Sequence, residues 1–224
     1  MIKKTELPNR LDVLMNMLRP VEVFIDVGSD HGYASAYALE NDLADRVIAT
    51  DIHALPAERT AKYFEKQGLS DRTRVFCNDG LRSLQVHAND AVLIAGMGGY
   101  EIMHILEEAL SEGAVEMGAE FLLQPQRSFR ELREFMARKG IQIRDERIAE
   151  DKNKFYVGIL AVYTGKVYQT DMISAVLGPV ILEKRPLYFE PFIRDRWKTL
   201  KKEVLGQPEL RPVLEYVEKV IQTL

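Results

Sequence analysis

The sequence predicts an α/β protein: a doubly wound sheet of about seven strands followed by an α-helical hairpin. Short apolar runs alternate with amphipathic helical stretches, the pattern of strands linked by helical crossovers. Five runs end on polar or glycine-rich residues, Asp26, Asp51, Asp79, Gly96 and Gln124. In open parallel sheets the ligand crevice lies beyond the carboxyl ends of the strands, so all five signals fall on one edge. After Lys166 the pattern changes to two long helical stripes.

In chain order, Leu11, Leu14, Met15 and Leu18 repeat at i, i+3, i+4 and i+7, which predicts an amphipathic helix over 8–18 that Pro20 ends. Val23-Phe-Ile25 reads as a buried strand running into a loop with Gly28 and Gly32, and a helix opens near Tyr33. Val47-Ile-Ala-Thr50 is a second strand, followed by a helix over 55–67 that Gly68 closes. Arg74-Val-Phe-Cys77 and Ala91-Val-Leu-Ile94 are the third and fourth, with a helix from about Tyr100 to Leu110 after the latter. Glu120-Phe-Leu-Leu123 is the fifth, and Phe129, Leu132, Phe135 and Met136 make the helix that Gly140 ends. Residues 141–149 and 154–163 read as two antiparallel strands. Stripes over 187–204 and 210–224, separated by Gly206-Gln-Pro208, predict the hairpin, so the chain divides into 1–165 and 166–224.

Composition narrows the function. A charge of −4 opposes a wholly electrostatic nucleic-acid binder but permits a local basic patch, and 166–224 carries 10 Lys and Arg against 8 Asp and Glu. The single cysteine, Cys77, excludes an intrachain disulfide and a cysteine-based metal site. His31, His53, His87 and His104 lack ligand spacing, so no metal is expected. No run of about 18 apolar residues and no leader pattern is present. A cytoplasmic protein without membrane association is expected, as a monomer.

The chemistry concentrates in the loops. A strand, a glycine-bearing turn and a helix start can hold a nucleotide-like ligand, because the backbone approaches closely and offers N–H donors. Asp26 and Asp30 put negative charge where a diphosphate would be repelled, and favour a cationic ligand instead. Asp51, ending the second strand, can accept the hydroxyls of an adenosine ribose, which does not decide the cofactor; capping of the following helix is the lesser alternative. Asn78-Asp79-Gly80 reads equally as an ordinary turn. Tyr33 can stack on a base or pack in the core. Arg127, Arg130 and Arg133 recur every third residue near the crevice, suited to phosphates, though Glu131 and Glu134 interleave with them as on a solvated helix face. An exposed Trp197 or Phe192 would give the basic hairpin an RNA surface.

Asp26-x-Gly28-x-Asp30-x-Gly32 resembles the first motif of class I S-adenosylmethionine-dependent methyltransferases, with Asp30 at the usual middle glycine. Gly28-Ser-Asp-His-Gly-Tyr33, Asn78-Asp-Gly-Leu81, Ile94-Ala-Gly-Met-Gly-Gly99 and Leu123-Gln-Pro-Gln126, followed by a helical hairpin, resemble the bacterial TrmK family over essentially the whole chain. The resemblance implies a Rossmann-like methyltransferase domain, a coiled-coil domain that recognises tRNA, and methylation of N1 of the adenine at position 22. Cofactor contacts are then expected from Asp26, Gly28, Ser29, His31, Gly32, Asp51, Ile52, Asn78, Asp79, Gly80, Ala95 and Gly96, with Asp79 facing the adenine amino group. Gly96, Gly98 and Gly99 would leave room for a flat base, with Gln124, Pro125, Gln126, Arg127 and Arg130 on the substrate side. Asp30, Met97 and Tyr33 are the catalytic candidates: Asp30 stabilises charge developing on the adenine, while Met97 and Tyr33 pack against it. The competing readings are an NAD-dependent oxidoreductase, which shares the Asp51 signal, a small-molecule methyltransferase, and a non-enzymatic assembly protein.

Overall fold

A computed structural model describes residues 5–29 and 31–224. The expectation placed on Asp30 therefore lies outside the described residues. The first helix, α1 (Asn9–Met15), buries Leu14 and Met15 and leads through Pro20 into β1 (Val21–Val27). It is shorter than the apolar spacing predicts, because Met17 and Leu18 stay buried in the turn that follows. Then come α2 (Tyr33–Glu40), β2 (Ala44–Asp51), α3 (Ala54–Gln67), β3 (Thr73–Cys77), β4 (Ala91–Met97), α4 (Gly99–Ser111), β5 (Glu120–Pro125), α5 (Phe129–Lys139), β6 (Ile141–Asp151) and β7 (Lys154–Tyr163).

The strands form a seven-stranded sheet in the order β3-β2-β1-β4-β5-β7-β6. The first five are mutually parallel, whereas β7 runs antiparallel to both β5 and β6. The order reverses between β1 and β4, so their loops diverge there and open a crevice at the strand ends.

Alternation along each strand sorts side chains to two cores. Ile25, Val27, Val92, Ile94, Phe121 and Leu123 pack with α4 and α5. Phe24, Leu93 and Leu122 pack on the opposite face with Leu14 of α1, Leu39 of α2 and Phe64 of α3.

Beyond Tyr163 the chain makes two short helices that the apolar stripes do not announce, α6 (Met172–Leu177) and α7 (Pro179–Lys184). The hairpin helices follow, α8 (Phe189–Gly206) and α9 (Arg211–Gln222), with a 3-10 turn at Pro208–Leu210. Phe192, Ile193, Val213 and Val217 belong to the same apolar cluster as α5 and β5. Phe192, expected as an exposed aromatic, is thus core.

A buried ion pair ties α6 and α7 to the sheet. Arg133 of α5 and Glu146 of β6 meet at 2.8 Å, with side chains 2% and 0% exposed. Arg133 also donates to the carbonyls of Ala175 and Val176 at the end of α6, while Glu146 accepts from the amides of Val180 and Ile181 at the start of α7. The cation thus meets a helix C-terminus and the anion a helix N-terminus, the favourable sense for both dipoles. Gly178 sits between them, where a Cβ would lie 2.7 Å from Glu146 Oε2. Arg133 is therefore structural and not a phosphate ligand.

Candidate active site

A cleft of about 890 Å³ lies beyond the carboxyl ends of β1, β2 and β4. It gathers Asp26, Gly28, Ser29, His31, Gly32, Tyr33, Asp51, Ile52, Asn78, Asp79, Gly80, Ala95, Gly96, Met97 and Gln126. Five loops far apart in sequence converge there because their strands share one edge.

Local chemistry fixes each loop. Gly28 and Gly32 hold φ of +72° and +70°, a conformation costly for residues with a Cβ. A Cβ on Gly32 would meet the Phe64 ring at 2.7 Å, and one on Gly28 would meet Met97 Cε at 2.3 Å. The amides of Gly28 and Ser29 both donate to the Thr50 carbonyl, and the Thr60 hydroxyl donates to the Ser29 carbonyl at 2.6 Å. Thr50 in turn donates to the Gly80 carbonyl, coupling the first loop to the third.

Asp26 is 6% exposed and accepts a 2.7 Å hydrogen bond from Ser35 Oγ of α2. Burial holds its carboxyl above the ordinary Asp range, and the Ser35 hydrogen bond opposes that only in part. Asp51 accepts from the His53 amide through Oδ1 at 2.9 Å, while its Oδ2 has no partner among the described residues. Asn78 donates from its side chain to the Arg82 carbonyl at 2.8 Å and so closes the turn that presents Asp79. At the mouth, Tyr33 is 43% exposed, stacks on His31 at 5.3 Å and meets Tyr63 edge-on at 5.2 Å.

Gly96 is the irregular residue at the end of β4. Ala95 pairs with Gln124 and Met97 with Pro125, which leaves Gly96 as the extra residue of a bulge at φ +78°. The bulge turns Met97 across the first loop.

The substrate-side expectations divide. Gln126 lines the cleft, but Gln124 and Pro125 are buried in β5, where Gln124 Nε2 donates to the Pro125 carbonyl. Strand alternation turns Gln124 to the face opposite Leu123, towards α1. On their Cβ sides Gly98 and Gly99 are closely covered. Their space is filled by Arg127 and Ser128, whose backbone oxygens lie 2.8 and 2.6 Å from a Cβ placed on Gly99. Arg127 lies outside the cleft over Gly98, and Arg130 is held by Glu134 at 2.9 Å with Glu209 at 3.8 Å. Arg130 thereby joins α5 to the hairpin turn.

Sequence reading missed the roof. Glu6, Pro8, Arg10 and Leu11, with Glu101 and His104 of α4, also line the cleft. Local spacing shows α1 as amphipathic but gives no sign that its polar side closes over the β4 end.

The cleft suits an adenosyl cofactor. Ser29 Oγ is buried without a hydrogen-bond partner among the described residues, the first loop is built for close backbone approach, and carboxylates stand at the ends of β1 and β2. No group of His, Cys, Asp and Glu among the described residues has the arrangement of a metal site. No helix among them is long and apolar enough to cross a membrane.

Sheet order and cleft together define a Rossmann-like methyltransferase fold. Residues 7–159 match the family model described as "Methyltransferase domain". The chain is 30% identical over 192 residues to the tRNA (adenine(22)-N(1))-methyltransferase of Bacillus subtilis strain 168, covering 84% of this chain and 80% of that protein. It superposes on the crystal structure of the B. subtilis m1A22 tRNA methyltransferase TrmK with TM-score 0.79 at 24% identity, over 97% of both chains. Streptococcus pneumoniae Sp1610 in complex with S-adenosyl-L-methionine gives TM-score 0.84 at 24% identity, over 96% of this chain and 100% of that one. The chain belongs to the family of the bacterial tRNA (adenine(22)-N(1))-methyltransferases.

Proposed function

We propose that this protein transfers the methyl group of S-adenosylmethionine to N1 of the adenine at position 22 of tRNA. The observation that carries the reading is the set of carboxylates, Asp26, Asp51 and Asp79, gathered at strand ends in a cleft of this family's fold. A nicotinamide dinucleotide would bring its diphosphate to the buried Asp26, which disfavours the oxidoreductase alternative.

Bound S-adenosylmethionine supplies an electrophilic methyl on a sulfonium, and adenine N1 receives it through an in-plane lone pair that needs no prior deprotonation. The protein's task is therefore orientation and charge. Asp51 accepts the ribose hydroxyls through Oδ2, Asp79 faces the adenine end, and Asp26 with its Ser35 partner supports the first loop near the cationic end. Met97 packs between that loop and the substrate side, and Tyr33 with His31 offers an aromatic surface for an extruded base. Asp30 remains the candidate that stabilises positive charge on the methylated ring.

Arg194, Lys198, Lys201 and Lys202 of α8 give residues 166–224 a role in holding the tRNA backbone. Lys201 Nζ lies 3.8 Å from the Trp197 ring centroid, and Trp197 Nε1 donates to Glu218 of α9.

Radiolabelled methyl transfer to an unmodified tRNA transcript, beside a transcript carrying guanine at position 22, tests the reading. Incorporation into the first alone is expected; equal incorporation into both would refute the assigned position.

A further inference from the structure

We propose that the β6–β7 turn, Lys152-Asn-Lys154, is a phosphate-binding finger of the catalytic domain that carries the tRNA backbone from α8 to the cleft. This inference rests on the tRNA reading above.

Topology puts the turn on the cleft's edge of the sheet. The β5–β7 ladder ends at Leu123 opposite Ile159, and β7 extends a further five residues back to Lys154, whereas β5 extends two to Pro125. At about 3.3 Å per residue the turn stands about 10 Å beyond the end of β5. Its two sides are anchored to the two regions that a bound tRNA must join. Asn9 Nδ2 donates to the Glu150 carbonyl at 2.9 Å, and its neighbours in α1, Pro8 and Leu11, line the cleft. On the other side the Phe155 ring meets Tyr188 and Phe192 at 6.5 and 6.4 Å, at the start of α8. An RNA held by Arg194 and Lys198 with one base in the cleft therefore spans both neighbours of this turn.

The side chains fit that task. Lys152, Asn153 and Lys154 are exposed, while the preceding Glu150 and Asp151 are half-buried, so the tip itself is cationic. Neither lysine makes an ion pair or side-chain hydrogen bond among the described residues. Lys152 and Asn153 hold φ of +52° and +62°, the sense that a two-residue turn of twisted strands requires and that Asn and Gly adopt most easily. Lysine at the first of these positions is thus poor turn chemistry, and no contact with the described residues offsets it. Two ammonium groups on a rigid projection suit phosphate oxygens, which position a nucleic acid without reading its sequence.

The test uses the full chain and a Lys152→Asn, Lys154→Gln variant. Binding of an unmodified tRNA transcript and steady-state methylation are measured over a range of salt. Asparagine suits the turn, so the variant should melt no lower than wild type. Its affinity for tRNA should fall about 3- to 30-fold, the range for two exposed charge contacts, with KM rising to match. The slope of log affinity against log salt should flatten by about 1 to 2. Turnover at saturating tRNA and affinity for S-adenosylmethionine should stay within about twofold, and Lys152→Arg with Lys154→Arg should retain wild-type KM. Unchanged tRNA affinity and salt slope, or lost turnover with KM unchanged, would overturn the proposal. The stated loss of tRNA affinity in a chain whose wild type leaves adenine 22 unmethylated would support the finger and overturn the assigned reaction.

Discussion

Asp26 shows what a single residue gives up for function. Burial raises its pKa above that of the unfolded chain, so the folded protein holds the proton more tightly. Its contribution to stability is therefore greatest at and below the ordinary Asp range and is lost as pH rises through the folded-state value. Asp26→Asn keeps an oxygen for Ser35 and removes the buried charge. The expected outcome is a melting temperature at pH 8 no lower than wild type, with weaker binding of S-adenosylmethionine. A drop in melting temperature with cofactor affinity intact would contradict this. Gly28→Ala acts differently, placing a Cβ at φ +72° and 2.3 Å from Met97 Cε. Backbone strain of about 1–3 kcal/mol and a displaced Met97 should lower cofactor affinity and turnover together, read by titration and single-turnover kinetics. At this scale most of the cleft was legible. Fifteen of the expected residues line it, because strand ends followed by Gly or Asp are local signals. Arg10 was not, since nothing around Asn9-Arg-Leu11 specifies what α1 packs against.

At the scale of elements, the join between sheet and hairpin rests on Arg133 and Glu146. Removing one partner leaves a buried charge uncompensated and typically costs about 3–5 kcal/mol. Arg133→Met alone should therefore be strongly destabilising in urea denaturation, and Arg133→Met with Glu146→Leu should recover much of the loss. Additive losses would show that the two side chains do not act as a pair. Gly99→Ala forces a Cβ to 2.6 Å from the Ser128 carbonyl at the point where α4 meets the β5–α5 turn. Overpacking of this kind costs about 1–3 kcal/mol, seen as a lower melting temperature. The order of strands and helices up to Tyr163 could be read from alternation and from Gly and Pro at boundaries. Arg133 could not, because its spacing with Arg127 and Arg130 looks like a solvated face until β6 and α6 are in place. The short helices α6 and α7 escaped for a related reason: with six residues each, they are too brief to show a helical period.

Across the whole molecule, charge is unevenly spread. The chain carries −4 overall, yet residues 166–224 hold an excess of Lys and Arg. Substrate binding should therefore be local to the hairpin side and sensitive to salt. Replacing Arg194 and Lys198 by Glu should raise KM for tRNA at least several-fold and flatten its salt dependence, leaving cofactor affinity unchanged. Loss of cofactor binding in that variant would argue against separate surfaces for the two ligands. The central claim joins a sulfonium-compatible cleft to one nitrogen of one nucleotide. Its most direct test is mass mapping of an unmodified tRNA after incubation with the enzyme and methyl-labelled S-adenosylmethionine. The account predicts 1-methyladenosine at position 22 and no other labelled nucleoside; label at N6, at another position, or on no nucleoside despite bound cofactor would contradict it.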